Sequence, residues 1–141
     1  MPKFSTSSAL KLSTCHHDLQ TLFNEVVKTY DCTIVCGHRN EADQNKAYNE
    51  GKSEKRWPES KHNTNPSQAV DVMPYLPEVG IDWKDEKALY LFIGKVMVIA
   101  HQLWLNGDMA YKVRFGADWD GDGRTADQTF HDGAHCELII L

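Results

Sequence analysis

The sequence predicts a single α+β domain. Three observations carry that reading: two stretches whose apolar residues recur at helical spacing, several short β-branched or alternating runs between and after them, and a length of 141 residues with 41% in the hydrophobic set. Such a chain can bury one ordinary core and is too short for a second folded unit of any size. The expected architecture over residues 1–141 is two helical layers against a small, largely antiparallel sheet.

After a polar, Ser-rich start, Leu19, Leu22, Phe23, Val26, Val27 and Tyr30 form the stripe of a first amphipathic helix, which Ser13 or Thr14 can cap. A β-branched run over 33–36, closed by Gly37, predicts a strand. Asn40 can cap a short helix that runs to Glu50 and stops at Gly51. Residues 51–66 are polar, charged and proline-bearing without either period, so a long surface loop of the kind that carries function is expected. Alternation over 68–73 predicts a second strand, broken by Pro74 and Pro77. Asp82 opens the main packing helix over 83–105, with Leu89, Phe92, Ile93, Val96, Met97, Ala100 and Leu103 inward and Asn106-Gly107 as its stop. Strands over 112–115 and 135–141 flank an acidic, glycine-bearing loop over 116–128.

Fifteen Lys and Arg against twenty Asp and Glu give a net charge of −5, the wrong sign for gripping polyphosphate by bulk charge, so nucleic acid is excluded as an expected partner. Mean hydropathy is −0.51. No apolar run approaches the roughly 20 residues that cross a bilayer, and the first residues lack the apolar stretch of a secretory signal. A soluble, signal-less chain without membrane insertion is expected. The four cysteines are too few for a disulfide framework and read as buried free thiols, with Cys32 and Cys36 on one strand face.

Three segments set metal-competent side chains at the ends of predicted strands: His62 in SKH, Asp71 in AVD and His135 in DGAHCEL. Two imidazoles and a carboxylate suit a catalytic zinc, which accepts N and O donors and keeps a fourth position for water, whose pKa it lowers to about 7. Asp71 is the decisive residue of the three, because a lone carboxylate in an apolar strand needs a strong partner. The other histidines, His16, His17, His38, His101 and His131, read as surface or core. Asp132, three residues before His135, can take a proton from water and pass it to a leaving amine. Glu137, on the same strand face as His135, competes for that role or supports the ligand. Arg39, at the end of a strand, can hold a carboxylate bidentately, and Gln44 can assist it.

Asp118, Asp120 and Asp122, followed by Gly123, reproduce the D-x-D-x-D-G opening of a calcium loop. Thr129 stands where an EF-hand carries its closing Glu, so an ordinary EF-hand is excluded and a shortened Ca2+ site is the expectation. The span 118–127 holds four Asp against one Arg, which calls for a cation. Calcium there would order the segment leading into Asp132 and His135 and make activity calcium dependent.

SKH, AVD and DGAHCEL, with GHR upstream and RFGADWD between, resemble the zinc peptidases of the D-alanyl-D-alanine carboxypeptidase type. The likeness is greatest to phage endolysins that cleave the L-alanyl-D-glutamate bond of peptidoglycan stem peptides. The resemblance implies the α+β scaffold shared with the Hedgehog signalling domain, zinc on His62, Asp71 and His135, Asp132 as catalytic base, and Arg39 on the substrate carboxylate or the developing oxyanion. His38 stands where the family has an aromatic or aliphatic residue, and a substrate contact there is weighed against a merely polar neighbour of the cleft. From His62 to Asp71 the chain is longer than the family pattern, which implies a longer hairpin. The implied setting is a monomeric lysis enzyme that accumulates in the host cytoplasm and reaches the wall through a pore made by another protein. The alternatives are D-alanyl-D-alanine carboxypeptidase activity and a non-catalytic zinc and calcium module of Hedgehog type.

Overall fold

In the computed structural model, which describes residues 2–116 and 133–140, the strands β1 (Cys32–Cys36), β2 (Ala69–Pro74), β3 (Val113–Phe115) and β4 (His135–Leu138) form one antiparallel sheet in the order β1-β2-β4-β3. Helices α1 (Thr6–Ser13), α2 (His17–Val26), α3 (Glu41–Asn49) and α4 (Glu86–Leu105) complete the described fold, with a 3-10 turn at Lys61–Asn63. The class is α+β, as the hydrophobic spacing predicts.

One face of the sheet is the core. Ile34, Val70, Val72, Phe115, Cys136 and Leu138 point to it and are buried against Leu19, Leu22, Phe23 and Val26 of α2 and Leu89, Phe92, Ile93, Val96 and Ala100 of α4. Removing their apolar surface from water, worth about 25 cal/mol per Å2, is what holds helices and sheet together. The other face of the sheet is left for the cleft described below.

Four differences from the sequence reading have physical causes. The Ser-rich start folds as α1: Ser5 caps it by accepting from the Ser8 amide at 3.1 Å, Leu12 is buried in the core, and Ser8 Oγ accepts from the Ile34 amide of β1 at 3.1 Å. The first long helix starts later than a Ser13 or Thr14 cap predicts, because Thr14 closes α1 and His16 Nδ1 caps α2 through the Asp18 amide at 3.0 Å, and it ends at Val26, short of Tyr30. Buried Asp18 in turn accepts from the amides of Ala110 and Tyr111, tying α2 to the segment after α4. Asp85, and not Asp82, caps α4.

The fourth difference concerns hydropathy. α4 has 20 residues, and eighteen consecutive ones have a mean hydropathy of 1.5, so by length and composition it is long and apolar enough to cross a membrane, contrary to the expectation that no segment is. Lys87, Gly94, Lys95 and His101 interrupt the apolar run along the chain, which hides the average. In this fold α4 gives five buried side chains to the core, while Leu91, Val98 and Leu105 stay exposed.

Candidate active site

Strand pairing does most of the assembly. Asp71 on β2 lies opposite both His135 on β4 and Cys36 on β1, so three strands contribute one row across the cleft face. His62 reaches the same point from the 3-10 turn, which Ser60 and Asn63 hold in a reciprocal capping box. The longer segment between His62 and Asp71 is not an extended hairpin. It docks on the turn between α1 and α2 through Ser67 N to Thr14 O at 2.9 Å and His16 N to Ser67 O at 2.8 Å, and Gln68 N returns to Lys61 O at 3.0 Å.

The result is a convergence of three donors. His62 Nε2 and His135 Nδ1 each lie 3.3 Å from Asp71 Oδ1, and the two imidazole centroids are 5.1 Å apart. The outer nitrogen of each ring is engaged elsewhere: His62 Nδ1 donates to Gly37 O at 2.8 Å, and His135 Nε2 donates to Glu137 Oε1 at 2.9 Å. Neither acceptor can donate back, so each neutral imidazole carries its hydrogen on the outside and turns a lone pair toward Asp71. Partners of this kind fix ring orientation in metal-binding histidines. Glu137 is itself buried and faces Lys61 Nζ at 3.2 Å, while Lys61 also donates to Leu138 O.

The separations fit a small tetrahedral ion. Ligands bonded at about 2.0–2.2 Å in a tetrahedron lie about 3.3–3.5 Å from one another, and both observed donor spacings are 3.3 Å. Two imidazoles with one carboxylate suit zinc among the common divalent ions. Cys36, His62 and Asp71 also form a group whose ligand-type atoms lie within 4.8 Å of one another. Cys36 approaches His62 from the Nδ1 side, at 3.9 Å, where Gly37 O already takes the hydrogen. His135 offers Asp71 the more direct partner.

Cys36 corrects an expectation, since alternation from Cys32 would bury it. The pairing of β1 with β2 shifts between Ile34 and Cys36, and this bulge inserts Val35 and turns Cys36 out to the cleft. Cys15, Cys32 and Cys136 are buried free thiols, and desolvation pushes Cys15 and Cys32 up to about 12.

The electrostatics of the cluster favour positive charge where the donors meet. Burial alone would raise the Asp71 carboxyl, but His62 and His135 override it and hold it far below the usual carboxylate range. Burial alone would lower His62, yet the charge and hydrogen bond of Asp71, with Cys36 beside it, lift the imidazole to about 10. His135 is raised too, with burial again opposed by hydrogen bonds to Asp71 and Glu137. Against its burial, Glu137 is brought down to about 2 by His135 and Lys61.

These groups line a cleft of about 820 Å3. Arg39 is at its edge: Nη2 faces Asp71 Oδ2 at 3.5 Å, Nη1 donates to Gln44 Oε1 at 3.0 Å, and its amide donates to His62 O at 2.8 Å. Gln44 does not line the cleft. It is fully buried, accepts from Arg39 and Asn63, and donates to Ser53 Oγ and Lys55 O. Its place is beneath Arg39, holding the guanidinium, so it assists Arg39 from below and is set back from the cleft where a substrate contact would have to lie. The backbone of His38 is tied to Thr14 Oγ1 at 2.9 Å, and its side chain is not among those lining the cleft. Asp132 and the acidic triplet Asp118, Asp120 and Asp122 lie outside the described residues. The pairing of Arg39 with Asp71 and the role of Gly37 O were not readable from sequence; the spacings of His135 with Glu137 and of Arg39 with Gln44 were the signals for supporting groups.

A model of the phage L-alanyl-D-glutamate peptidase family matches residues 1–139 of this chain. The L-alanyl-D-glutamate peptidase of Escherichia phage T5 is 33% identical over 143 residues, which span 97% of this chain and 98% of that protein. Among solved structures, the L-Ala D-Glu endopeptidase ChiX of Serratia marcescens superposes with a TM-score of 0.69 at 20% identity, over 98% of this chain and 91% of that one, and shares the fold.

Proposed function

Because the chain belongs to the phage L-alanyl-D-glutamate peptidase family, we propose that it hydrolyses the L-alanyl-D-glutamate bond of peptidoglycan stem peptides as a lysis enzyme, with His62, Asp71 and His135 holding a zinc ion. The observation that carries the metal assignment is the convergence of His62 Nε2, Asp71 Oδ1 and His135 Nδ1 with the far side of both rings tied to fixed acceptors. When bound there, zinc supplies Lewis acidity, acidifying water and polarising a carbonyl oxygen.

The chain's own groups supply the rest. Asp71 Oδ2 and Gln44 orient the Arg39 guanidinium at the cleft edge, where it can stabilise negative charge developing on the scissile carbonyl. Asp132 takes the proton of the attacking water and delivers it to the departing D-glutamate amine. For Asp132, and for calcium at Asp118, Asp120 and Asp122, the support is the sequence pattern. Glu137 is the less suitable base because both of its oxygens are already occupied, one by His135 and one by Lys61.

Incubation of the zinc-loaded protein with purified sacculi, followed by mass spectrometry of the released peptides, tests the reading. New L-alanine carboxyl and D-glutamate amino termini are expected, and absence of any new termini rejects it. Zinc stoichiometry should collapse in His62→Ala and His135→Ala and persist in Asp132→Ala, which should lose turnover alone.

A further inference from the structure

The cleft face of the sheet continues beyond the three metal-type donors. On β3, Phe115 is buried in the core and Arg114 is exposed, so the alternation turns Arg114 to the cleft, which it lines. Register sets Arg114 directly opposite Glu137, two residues along β4 from His135. Diagonal neighbours of this kind have their Cβ atoms about 7–8 Å apart, a distance an arginine side chain can largely span. A carbonyl held beside His135 therefore has on its β3 side a planar fork of N–H donors whose geometry matches a carboxylate.

The β1 side of the same point carries a second arginine. There Arg39 is engaged by Gln44 and Asp71 and sits next to the metal-type donors. The two arginines thus bracket the site, one close to the carbonyl position and one a residue row away. The wider charge pattern agrees. Five Lys or Arg and three Asp or Glu line the cleft among the described residues, in a chain whose net charge is −5. Asp71 and Glu137, two of the three acids, are matched within the cluster itself. The lining favours an anionic ligand.

The proposed substrate has an anion at the right offset. In a stem peptide, D-glutamate continues the chain through its side-chain carboxyl, so its α-carboxylate stays free beside the amide nitrogen of the scissile bond. Amidating that group removes the charge and leaves the scissile bond intact. We propose that Arg114 is a specificity-determining residue that reads this free α-carboxylate, so that the enzyme discriminates against stem peptides amidated at that position. The assignment rests on the peptidase reading above.

The test uses the full zinc-loaded chain and two synthetic stem peptides that differ only as acid or amide at that carboxyl. Wild type should show kcat/KM about tenfold to a hundredfold higher on the acid, the range that one charge-assisted hydrogen-bonded pair provides. Arg114→Gln should lose that factor on the acid and keep its rate on the amide, so the preference disappears, while Arg114→Lys should retain part of it. Equal cleavage of the two peptides by wild type overturns the assignment, as does a preference that survives in Arg114→Gln. Cleavage of neither peptide by wild type overturns the peptidase reading beneath it.

Discussion

Removing the acceptor behind His135 is the sharpest test of how the site is built. In Glu137→Ala the His135 Nε2 hydrogen loses its 2.9 Å partner in a position only 7% exposed, and Lys61 loses the carboxylate at 3.2 Å. Outer partners of metal-binding histidines are worth about tenfold to a hundredfold in affinity, or about 1.4–2.7 kcal/mol at 1.36 kcal/mol per decade. Glu137→Gln keeps an acceptor oxygen without the charge and should fall near the tenfold end; Glu137→Ala should approach the hundredfold end. Competition for zinc against a chromophoric chelator at fixed pH reads both values. Because Glu137 acts through His135, turnover of Glu137→Gln at saturating zinc should remain within about tenfold of wild type. Unchanged zinc affinity in both variants would refute the positioning argument. A collapse of turnover in zinc-saturated Glu137→Gln would move the base from Asp132 to Glu137.

Three further outcomes follow from the same geometry. His62 is lifted from 6.5 to about 10 in the metal-free protein, so its contribution to stability is full below pH 6.5 and is lost as pH rises through about 10. Zinc must displace that proton, so its affinity should climb with pH across the same window; calorimetry at pH 8 in buffers of unlike ionisation enthalpy should register proton release, and none would contradict the assignment. A Cβ at Gly37 would sit 2.3 Å from Lys11 O and 2.4 Å from Thr14 Oγ1. Gly37→Ala should therefore cost about 1–3 kcal/mol in urea unfolding and also weaken zinc binding by shifting the carbonyl that holds His62; wild-type values for both would show that the contact relaxes freely. Gln44→Leu strands the side-chain donors of Arg39 and Asn63 and should lower stability by about 1–3 kcal/mol or more. With zinc saturating, it should also reduce kcat, and an unchanged kcat would detach Gln44 from Arg39 function.

Much of this was legible in the chain. α2 and α4 follow from apolar period, though not their N-caps, α3 follows from its Asn40 cap, and β2 follows from an alternation whose single charge, Asp71, marks the cleft face. His62, Asp71 and His135 were nameable because carboxylates and imidazoles beside strand-like runs are chemically distinctive, although His62 lies in a 3-10 turn, Asp71 lies inside β2 and only His135 begins a strand. α1 escaped because its helical face toward the core is short, with Ser8 and Leu12 its buried residues, so composition concealed periodicity. The bulge at Val35 could not be seen, since inserting a residue leaves the sequence alternation readable in either phase and only pairing with β2 selects one. The Gly37 carbonyl was invisible for a different reason: backbone acceptors carry no residue signature. Gln44 was noticed for its spacing from Arg39, but only burial reveals that it supports the guanidinium.

The place of Gly37 has a practical side for anyone handling this protein. Its carbonyl steadies His62, and the glycine itself rests against Lys11 and Thr14 at the end of α1. The amino-terminal helix is therefore a foundation for an imidazole far downstream. Trimming those opening residues, as is often done to tidy a serine-rich start, should weaken the proposed zinc site while leaving each of its proposed ligands in the sequence untouched.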